Sequence, residues 1–245
     1  SDPFFACAGN MRAVPGFVEL GLMRAAWMLF PVLALAADLE SARDAQDRAA
    51  LEAAVRELSR AAKNKPDNAA AHYRVALAES YLSEIALEQR DKGLAEAAAV
   101  DGIRAAERAV ALDGGTAEHH RILGTLCGQA IPANLLLAFR YGKCALDSIN
   151  RAIELDPKSW RAYLSRGVGN YYRPEAFGGG VGLALADFRR ALEVNPKAAD
   201  AWLWLGIALR KQGRNGEARK ALERSAELNP RRLWTKQQLE KTPPQ

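Results

Sequence analysis

Residues 201–230 read AWLWLGIALRKQGRNGEARKALERSAELNP, and their apolar positions recur at the three- and four-residue spacing of two amphipathic helices. A glycine-rich stretch around Gly213 separates the two halves and predicts a tight turn. The small residues Gly206 and Ala218 let the two helices cross closely, and Pro230 ends the second helix because proline cannot continue it. The stretch therefore predicts a helical hairpin.

A short phrase at the end of this hairpin recurs along the chain. An Asp-Pro or Asn-Pro pair ends at Pro157, Pro196 and Pro230. Gly114 takes the proline position in an earlier copy, and a shorter echo ends at Pro66. The last step is 34 residues, and the earlier steps are 39, 43 and 48 residues. Self-similarity at such periods is the signature of a repeat architecture, and the longer steps predict insertions in or after the first helix of three units.

The last unit resembles a tetratricopeptide repeat (TPR), whose pattern is W-x2-L-G-x2-Y, then A-x3-F, then P. The resemblance covers residues 40–241 and implies an all-α fold, a right-handed α-solenoid of about four helical hairpins. An N-terminal helix over 39–63 and a C-terminal capping helix over 231–241 complete this prediction. The alternative is a non-repeating helical bundle with coincidental spacing. The matching positions of the last unit are Trp202, Leu205, Gly206, Leu209, Ala218, Leu222 and Pro230.

The beginning of the sequence has the layout of a leader. Residues 27–37 form an apolar run of 11 that follows Arg24, ends in an Ala-Leu-Ala-Ala stretch and gives way to polar residues at Asp38. A charged start, a short apolar run and an Ala-x-Ala site are typical of a secretory signal peptide. The run is too short for a membrane span, which needs about 20 residues. The alternative is a buried N-terminal helix.

These observations predict three regions. Residues 1–37 are a leader with a signal peptide, residues 38–241 are the TPR solenoid, and residues 242–245 are a frayed tail. The mature chain then has no membrane span. Its predicted location is extracytoplasmic, in the bacterial periplasm or secreted.

The composition is that of a globular protein, with 49% hydrophobic and 26% charged residues and a formal net charge of +5 over 245 residues. Charges of both signs are mixed along the chain, as in the run from Arg43 to Arg48, which is typical of a solvated helix face. A nucleic-acid partner is disfavoured because no basic stretch with interleaved aromatics stands out.

Three cysteines in the whole chain are too few for a disulfide-stapled scaffold. An oxidising compartment would permit a bridge between Cys127 and Cys144. The two lie unequally about Pro132, where we expect the turn of their hairpin, and hence at different heights. A bridge is therefore disfavoured but left open, and two thiols are too few for a zinc site.

The insertion of the third unit, residues 170–180, is the most distinctive. It reads NYYRPEAFGGG, and Pro174 ends a helix before three consecutive glycines. Phe177 is predicted either to pack on its own solenoid or to fold over the groove and hold a ligand. The loop has no Lys-Ser/Thr pair of a phosphate-binding loop, so no cofactor is predicted.

The Tyr-Tyr…Pro…Phe-Gly-Gly pattern of this insertion is similar to insertions in extracytoplasmic bacterial TPR proteins, of which the TPR component of TRAP-type transporters is one group. That resemblance implies a periplasmic binding or assembly role beside a transporter component.

In a TPR hairpin the first helix lines a concave groove, and here that face mixes aromatic and arginine side chains. Such a mixture suits an extended peptide or a helix, with aromatic anchors and guanidinium groups for carboxylates. Tyr73 and Leu77 stand where the carboxylate clamp of chaperone-binding TPR domains needs Lys and Asn. The predicted partner-binding residues are Tyr73, Tyr81, Arg121, Gln129, Arg161, Tyr171, Tyr172, Phe177 and Arg210.

Two functions follow as hypotheses. The first is a scaffold that binds a protein or peptide in the groove, and the second is a small-ligand carrier or transporter accessory protein whose pocket is closed by the 171–180 loop. An enzyme is disfavoured because His72, His119 and His120 are the only histidines and form no metal-binding pattern. His72 and His120 fall where repeats usually have Trp or Tyr, which indicates packing.

Overall fold

The computed structural model describes residues 39–243, which contain helices and turns and no β-strand. The predicted leader lies outside these residues. The described chain begins with a helical segment over residues 39–44, called the N-terminal segment below. The longer helices are α1 Arg48–Lys63, α2 Ala69–Glu88, α3 Lys92–Leu112, α4 Ala117–Ala133, α5 Ala138–Leu155, α6 Trp160–Tyr172, α7 Val181–Val194, α8 Ala199–Lys211, α9 Asn215–Leu228 and α10 Leu233–Glu240.

Consecutive helices pair into four hairpins, α2 with α3, α4 with α5, α6 with α7 and α8 with α9. Each hairpin packs on the next, and the first helices α2, α4, α6 and α8 also contact one another in order. Helix α1 covers α2 at one end, and α10 caps α9 at the other. The all-α solenoid of four hairpins is therefore confirmed.

Glycines let the two helices of three hairpins cross closely. A Cβ atom built on Gly167 would lie 2.5 Å from the Phe188 ring, and one on Gly206 would lie 2.6 Å from Leu222. Gly124 faces Ile149 at 2.7 Å in the same way. Real Cβ atoms do not approach this closely, so the recurring glycine sets the spacing of the hairpin, as the sequence pattern predicted.

One hydrogen bond recurs at the start of all four hairpins. An aromatic or histidine side chain in the first helix donates to the carbonyl of the residue six positions earlier, where the closing phrase of the preceding unit ends. The two histidines are thus structural, as their repeat position indicated. The pairs are His72 with Pro66 at 2.9 Å, His120 with Gly114 at 2.9 Å, Tyr163 with Pro157 at 3.2 Å and Trp202 with Pro196 at 2.9 Å.

Three helices end in the same type of cap. Gln46, Arg90 and Gly213 have positive φ angles of 53°, 64° and 76°. At each of them the amide bonds the carbonyl three residues back, and the next amide bonds the carbonyl five residues back. This is the Schellman motif, which turns the chain sharply after a helix. Only Gly213 was predicted as a turn. Glycine adopts positive φ angles readily, whereas glutamine and arginine rarely do, so the other two positions carry no sequence signal.

The ends of the solenoid differ from the prediction in two ways. The predicted helix over 39–63 is broken at Gln46, so the N-terminal segment and α1 point in different directions. The predicted tail begins at Thr242, but Thr242 is buried and its carbonyl accepts a hydrogen bond from Arg219 at 2.8 Å. None of the described helices combines the length and the apolar run that a membrane span needs.

Candidate binding face

The inner face consists of the side chains of α2, α4, α6 and α8 that reach across to one another or to the N-terminal segment. Where α2 meets α4 on this face, Arg121 makes two hydrogen bonds to Glu118, at 2.8 and 2.6 Å. Tyr73 donates to the same carboxylate at 3.0 Å. Burial raises the pKa of Tyr73 to about 12, and Glu118 adds to the shift. Burial alone would raise the pKa of Glu118, but Arg121 outweighs it, so this carboxylate stays ionised.

Polar side chains also form hydrogen bonds between neighbouring hairpins on this face. Ser80 and Gln129 exchange two hydrogen bonds between α2 and α4, at 3.0 and 3.1 Å. Thr125 donates to Ser165 of α6 at 2.9 Å. Because each pair joins the first helices of neighbouring hairpins, the inner face is held together by its own polar side chains.

The N-terminal segment lies on this face. Arg43 is 8% exposed, and its guanidinium donates to Asp200 of α8 at 3.0 Å and lies 5.1 Å from the ring centroid of Tyr81 in α2. Glu40 reaches Arg161 of α6 at 4.0 Å. One short segment thus contacts the first helices of three hairpins. The run from Arg43 to Arg48 is therefore not a fully solvated face, because its first two residues are buried.

A charged cluster joins the first hairpin to the last. Arg232, at the start of α10, is 1% exposed and makes ion pairs with Glu84, at 2.7 Å, and with Glu88 of α2. It also donates to the backbone carbonyl of Arg43 at 3.1 Å. Asp44 accepts from Asn229 at 2.7 Å. The closing cluster, as these residues are called below, comprises Arg43, Asp44, Glu84, Glu88, Asp200 and Arg232.

Burial raises the pKa of Glu88 to about 7, although Arg232 lowers it in part. Burial alone would raise the pKa of Asp200, but Arg43 and Arg232 outweigh it and the pKa is lowered. Four carboxyl groups thus share two arginines. The face requires a cation beside Asp200, and Arg43 supplies it.

Aromatic side chains gather where α6 meets α8. Tyr171 packs edge-on against Tyr172 and Trp204, with ring centroids 5.1 and 5.8 Å apart. Lys211 lies 4.2 Å from the ring centroid of Tyr171. Tyr172 keeps 55% of its surface exposed. Tyr172 is thus an accessible aromatic group held in place by its neighbours.

The loop after α6 folds back on itself. Arg173 donates to Asn170 at 2.6 Å and to the carbonyl of Gly178 at 2.9 Å. Phe177 is 77% exposed, so neither predicted role, packing on the solenoid or closing a pocket, fits its position. These hydrogen bonds hold the loop in place, and its one large apolar side chain points outward.

A disulfide joins Cys127 of α4 to Cys144 of α5, with Cα atoms 6.1 Å apart. The expectation of unequal heights was wrong because Pro132 is not the turn but lies inside α4. The chain reverses between Asn134 and Leu137, and each cysteine lies seven residues from that reversal. The two therefore face each other across the hairpin.

Comparison with known proteins fits this geometry. A family model described as "Tetratricopeptide repeat" matches residues 178–232, which span the second helix of hairpin 3 and all of hairpin 4. A solved thermophilic TPR protein of Thermus thermophilus covers 79% of this chain and 91% of its own length with a TM-score of 0.60 and 18% identity. The described residues thus have the fold of a tetratricopeptide-repeat solenoid, and residues 178–232 match the repeat family itself. A curated relative, the anaphase-promoting complex subunit 3 of Schizosaccharomyces pombe, is 37% identical over 100 residues. That match covers 41% of this chain and 14% of the relative.

The structure places the nine predicted partner-binding residues in different surroundings. Four hold the inner face together, and these are Tyr73, Tyr81, Arg121 and Gln129. Arg210 instead donates to Gln238 and Thr242 at the C-terminal end, and Tyr171 is half covered by its aromatic neighbours. Three remain exposed on α6 and in the loop after it, and these are Arg161, Tyr172 and Phe177.

The sequence prediction missed the closing cluster. Its members are spread over 189 residues, and each looks like an ordinary surface charge in its own helix. In residues 39–243, no group of three or more His, Cys, Asp or Glu side chains is placed to hold a metal ion.

Proposed function

We propose that this protein is a non-enzymatic, extracytoplasmic TPR scaffold that binds a protein or peptide partner on its inner face. The observation that carries the proposal is the accessible pair Arg161 and Tyr172 on α6. Most other charged and aromatic groups of this face are buried against the chain itself, whereas these two remain exposed. An anchored tyrosine and an exposed guanidinium are among the side chains on which protein interfaces most often depend.

Site-specific photocrosslinking tests the proposal. A photoreactive phenylalanine analogue replaces Tyr172 in the full chain, and a matched control carries it at Arg151, an exposed position of α5 in the outer helix layer. We expect a discrete protein adduct from position 172 alone, and its loss when Arg161→Glu is added. Equal adducts from both positions, or none from position 172 in any cell fraction, would count against the scaffold.

Two observations support an extracytoplasmic location. The Cys127–Cys144 disulfide requires an oxidising compartment to persist in most organisms. The apolar run before Asp38 has the features of a signal peptide. Fractionation followed by N-terminal sequencing tests the location, with a mature chain starting at or near Asp38 in the periplasmic or secreted fraction as the expected result.

The role beside a transporter component, which the loop's resemblance implies, stays a prediction. The small-ligand carrier gains no support from the loop, since Phe177 is exposed and closes no pocket.

A further inference from the structure

The N-terminal segment is seated on the inner face as a bound helical peptide would be. Leu39 and Arg43 lie one helical turn apart on the same side, and they are 3% and 8% exposed. Asp44, next in sequence, is buried as well. Within six residues the segment thus buries a leucine, an arginine and an aspartate.

The contacts of the segment have the chemistry of recognition. The guanidinium of Arg43 donates to Asp44 of the same segment, at 3.1 and 2.8 Å, and to Asp200 of the solenoid at 3.0 Å. It also lies against the Tyr81 ring, and Arg232 donates to the backbone carbonyl of Arg43. Asn229 donates to the carboxylate of Asp44. The solenoid thus offers Asp200 to the cation of the segment, Asn229 to its carboxylate and Arg232 to its main chain.

The segment is attached by a short turn on which α1 does not depend. Ala45 and Asp47 are exposed, and Gln46 ends the segment in the left-handed conformation. The side chain of Asp47 accepts a hydrogen bond from the amide of Ala50 at 3.0 Å and so caps α1. Since α1 has its own cap, the segment can leave the inner face without unravelling the helix that follows.

We propose that the N-terminal segment is an internal occupant of a partner site, and that the partner is a short helical peptide with the pattern Leu-x-x-x-Arg-Asp. This inference rests on the proposed scaffold function and names the chemical class of its partner. The partner displaces the segment by supplying the same leucine, guanidinium and carboxylate. Its apparent affinity is lowered by the fraction of molecules in which the segment is bound.

The test uses the full chain and a fluorescein-labelled peptide of residues 39–47. Arg43→Glu places a carboxylate beside Asp200 and expels the segment. Arg56→Glu makes the same charge change at an exposed position of α1 and serves as the control. Fluorescence anisotropy measures binding in trans, and hydrogen exchange measures the protection of residues 39–44.

We expect the peptide to bind Arg43→Glu at least about tenfold more tightly than it binds the wild type or Arg56→Glu. Adding Asp200→Asn to Arg43→Glu should weaken this binding, and a peptide carrying Arg43→Glu should not bind. Equal binding to all three proteins, or full protection of residues 39–44 in Arg43→Glu, would overturn the proposal. A dimer of Arg43→Glu that excludes the peptide would overturn it in favour of a second copy as the occupant.

A second variant covers the case in which Arg43→Glu does not fold. It carries a protease site in the exposed turn at Ala45 and leaves Leu39, Arg43 and Asp44 unchanged. After cleavage the labelled peptide should exchange into the site, and a segment that neither leaves nor exchanges would contradict the proposal. The crosslink at Tyr172 does not need the segment to leave, so failure of the scaffold function and failure of this inference are distinguishable.

Discussion

Glu79 is a single residue whose burial disfavours its charged form. It lies in α2, is buried, and packs against Gly102 of α3. Burial raises its pKa to about 7, and the nearby Asp101 adds to the shift. Between pH 4.5 and about 7, the folded protein therefore holds a proton on Glu79. The unfolded chain, whose carboxyl pKa is near 4.5, has released this proton in the same pH range.

This difference predicts how Glu79→Gln changes stability with pH. A group whose folded pKa is raised contributes stability that is fully present below pH 4.5 and lost as the pH rises through about 7. Glu79→Gln keeps the shape and removes the titration. We expect it to raise the free energy of unfolding by up to about 3 kcal/mol at pH 8 and to change little at pH 4.5.

Urea denaturation at the two pH values measures the effect. Glu107→Gln, at an exposed position of α3, is the control. An equal effect of Glu79→Gln at both pH values would show that the carboxyl of Glu79 does not titrate as inferred.

At the scale of the helical element, the close crossing of two helices requires a small residue at the point of contact. A side chain at Gly167 would collide with the Phe188 ring, whereas nothing lies within 4 Å of a Cβ built on Gly169, two residues later in α6. The two glycines share a helix and differ only in the face they present.

Alanine at the two positions should have opposite effects. Gly167→Ala forces α6 and α7 apart and is expected to destabilise the protein by about 1–3 kcal/mol. Gly169→Ala is expected to stabilise it by about 0.5–1 kcal/mol, because alanine favours the helix. Thermal unfolding of both variants decides the matter, and a Gly169→Ala change as harmful as Gly167→Ala would contradict the crossing argument.

The disulfide stabilises the second hairpin through the unfolded chain. It closes a loop of 17 residues, which corresponds to about 3 kcal/mol. A Cys127→Ser, Cys144→Ser double variant should unfold at a correspondingly lower urea concentration. Reductant should bring the wild type to the same midpoint and leave the variant unchanged, so a shift of the variant under reductant would point to another cause.

The helices were predictable where a residue type has a single structural effect. Gly206 indicates a close helix crossing and Pro230 indicates a helix end, and from these two the last hairpin was predicted correctly. Pro132 misled, because a proline in the last turns of a helix does not have to end it, and the pairing of Cys127 with Cys144 was misjudged as a result. The broken helix at Gln46 has no sequence signal, since glutamine rarely takes the left-handed conformation.

At the scale of the whole molecule, Arg232 connects the two ends of the solenoid. Its partners Glu84 and Glu88 lie more than 140 residues earlier in the chain. Local patterns cannot reveal such a pairing, because the distance between the ends depends on the accumulated rotation of every hairpin. The residues that join the ends were therefore not among the predicted partner-binding residues.

Removing the arginine should weaken this connection. Arg232→Gln leaves two carboxyl groups beside each other without their cation and is expected to cost about 3–5 kcal/mol. Arg231→Gln, at the exposed neighbouring position, is expected to change stability by less than about 0.5 kcal/mol. Urea denaturation gives the free energies, and hydrogen exchange should show α10 and the end of α2 opening together in Arg232→Gln. Independent exchange of the two helices in the wild type would contradict a joined structure.

The disulfide of the second hairpin also has a mechanical consequence. When the protein is pulled from its two ends, the loop between Cys127 and Cys144 cannot extend, because the covalent bridge carries the load past it. At about 3.6 Å per residue, those 17 residues withhold about 60 Å of length from the fully stretched chain. A single unfolded molecule held under tension in optical tweezers should lengthen by that amount when reductant is added. Until then, the segment between the two cysteines bears no tension.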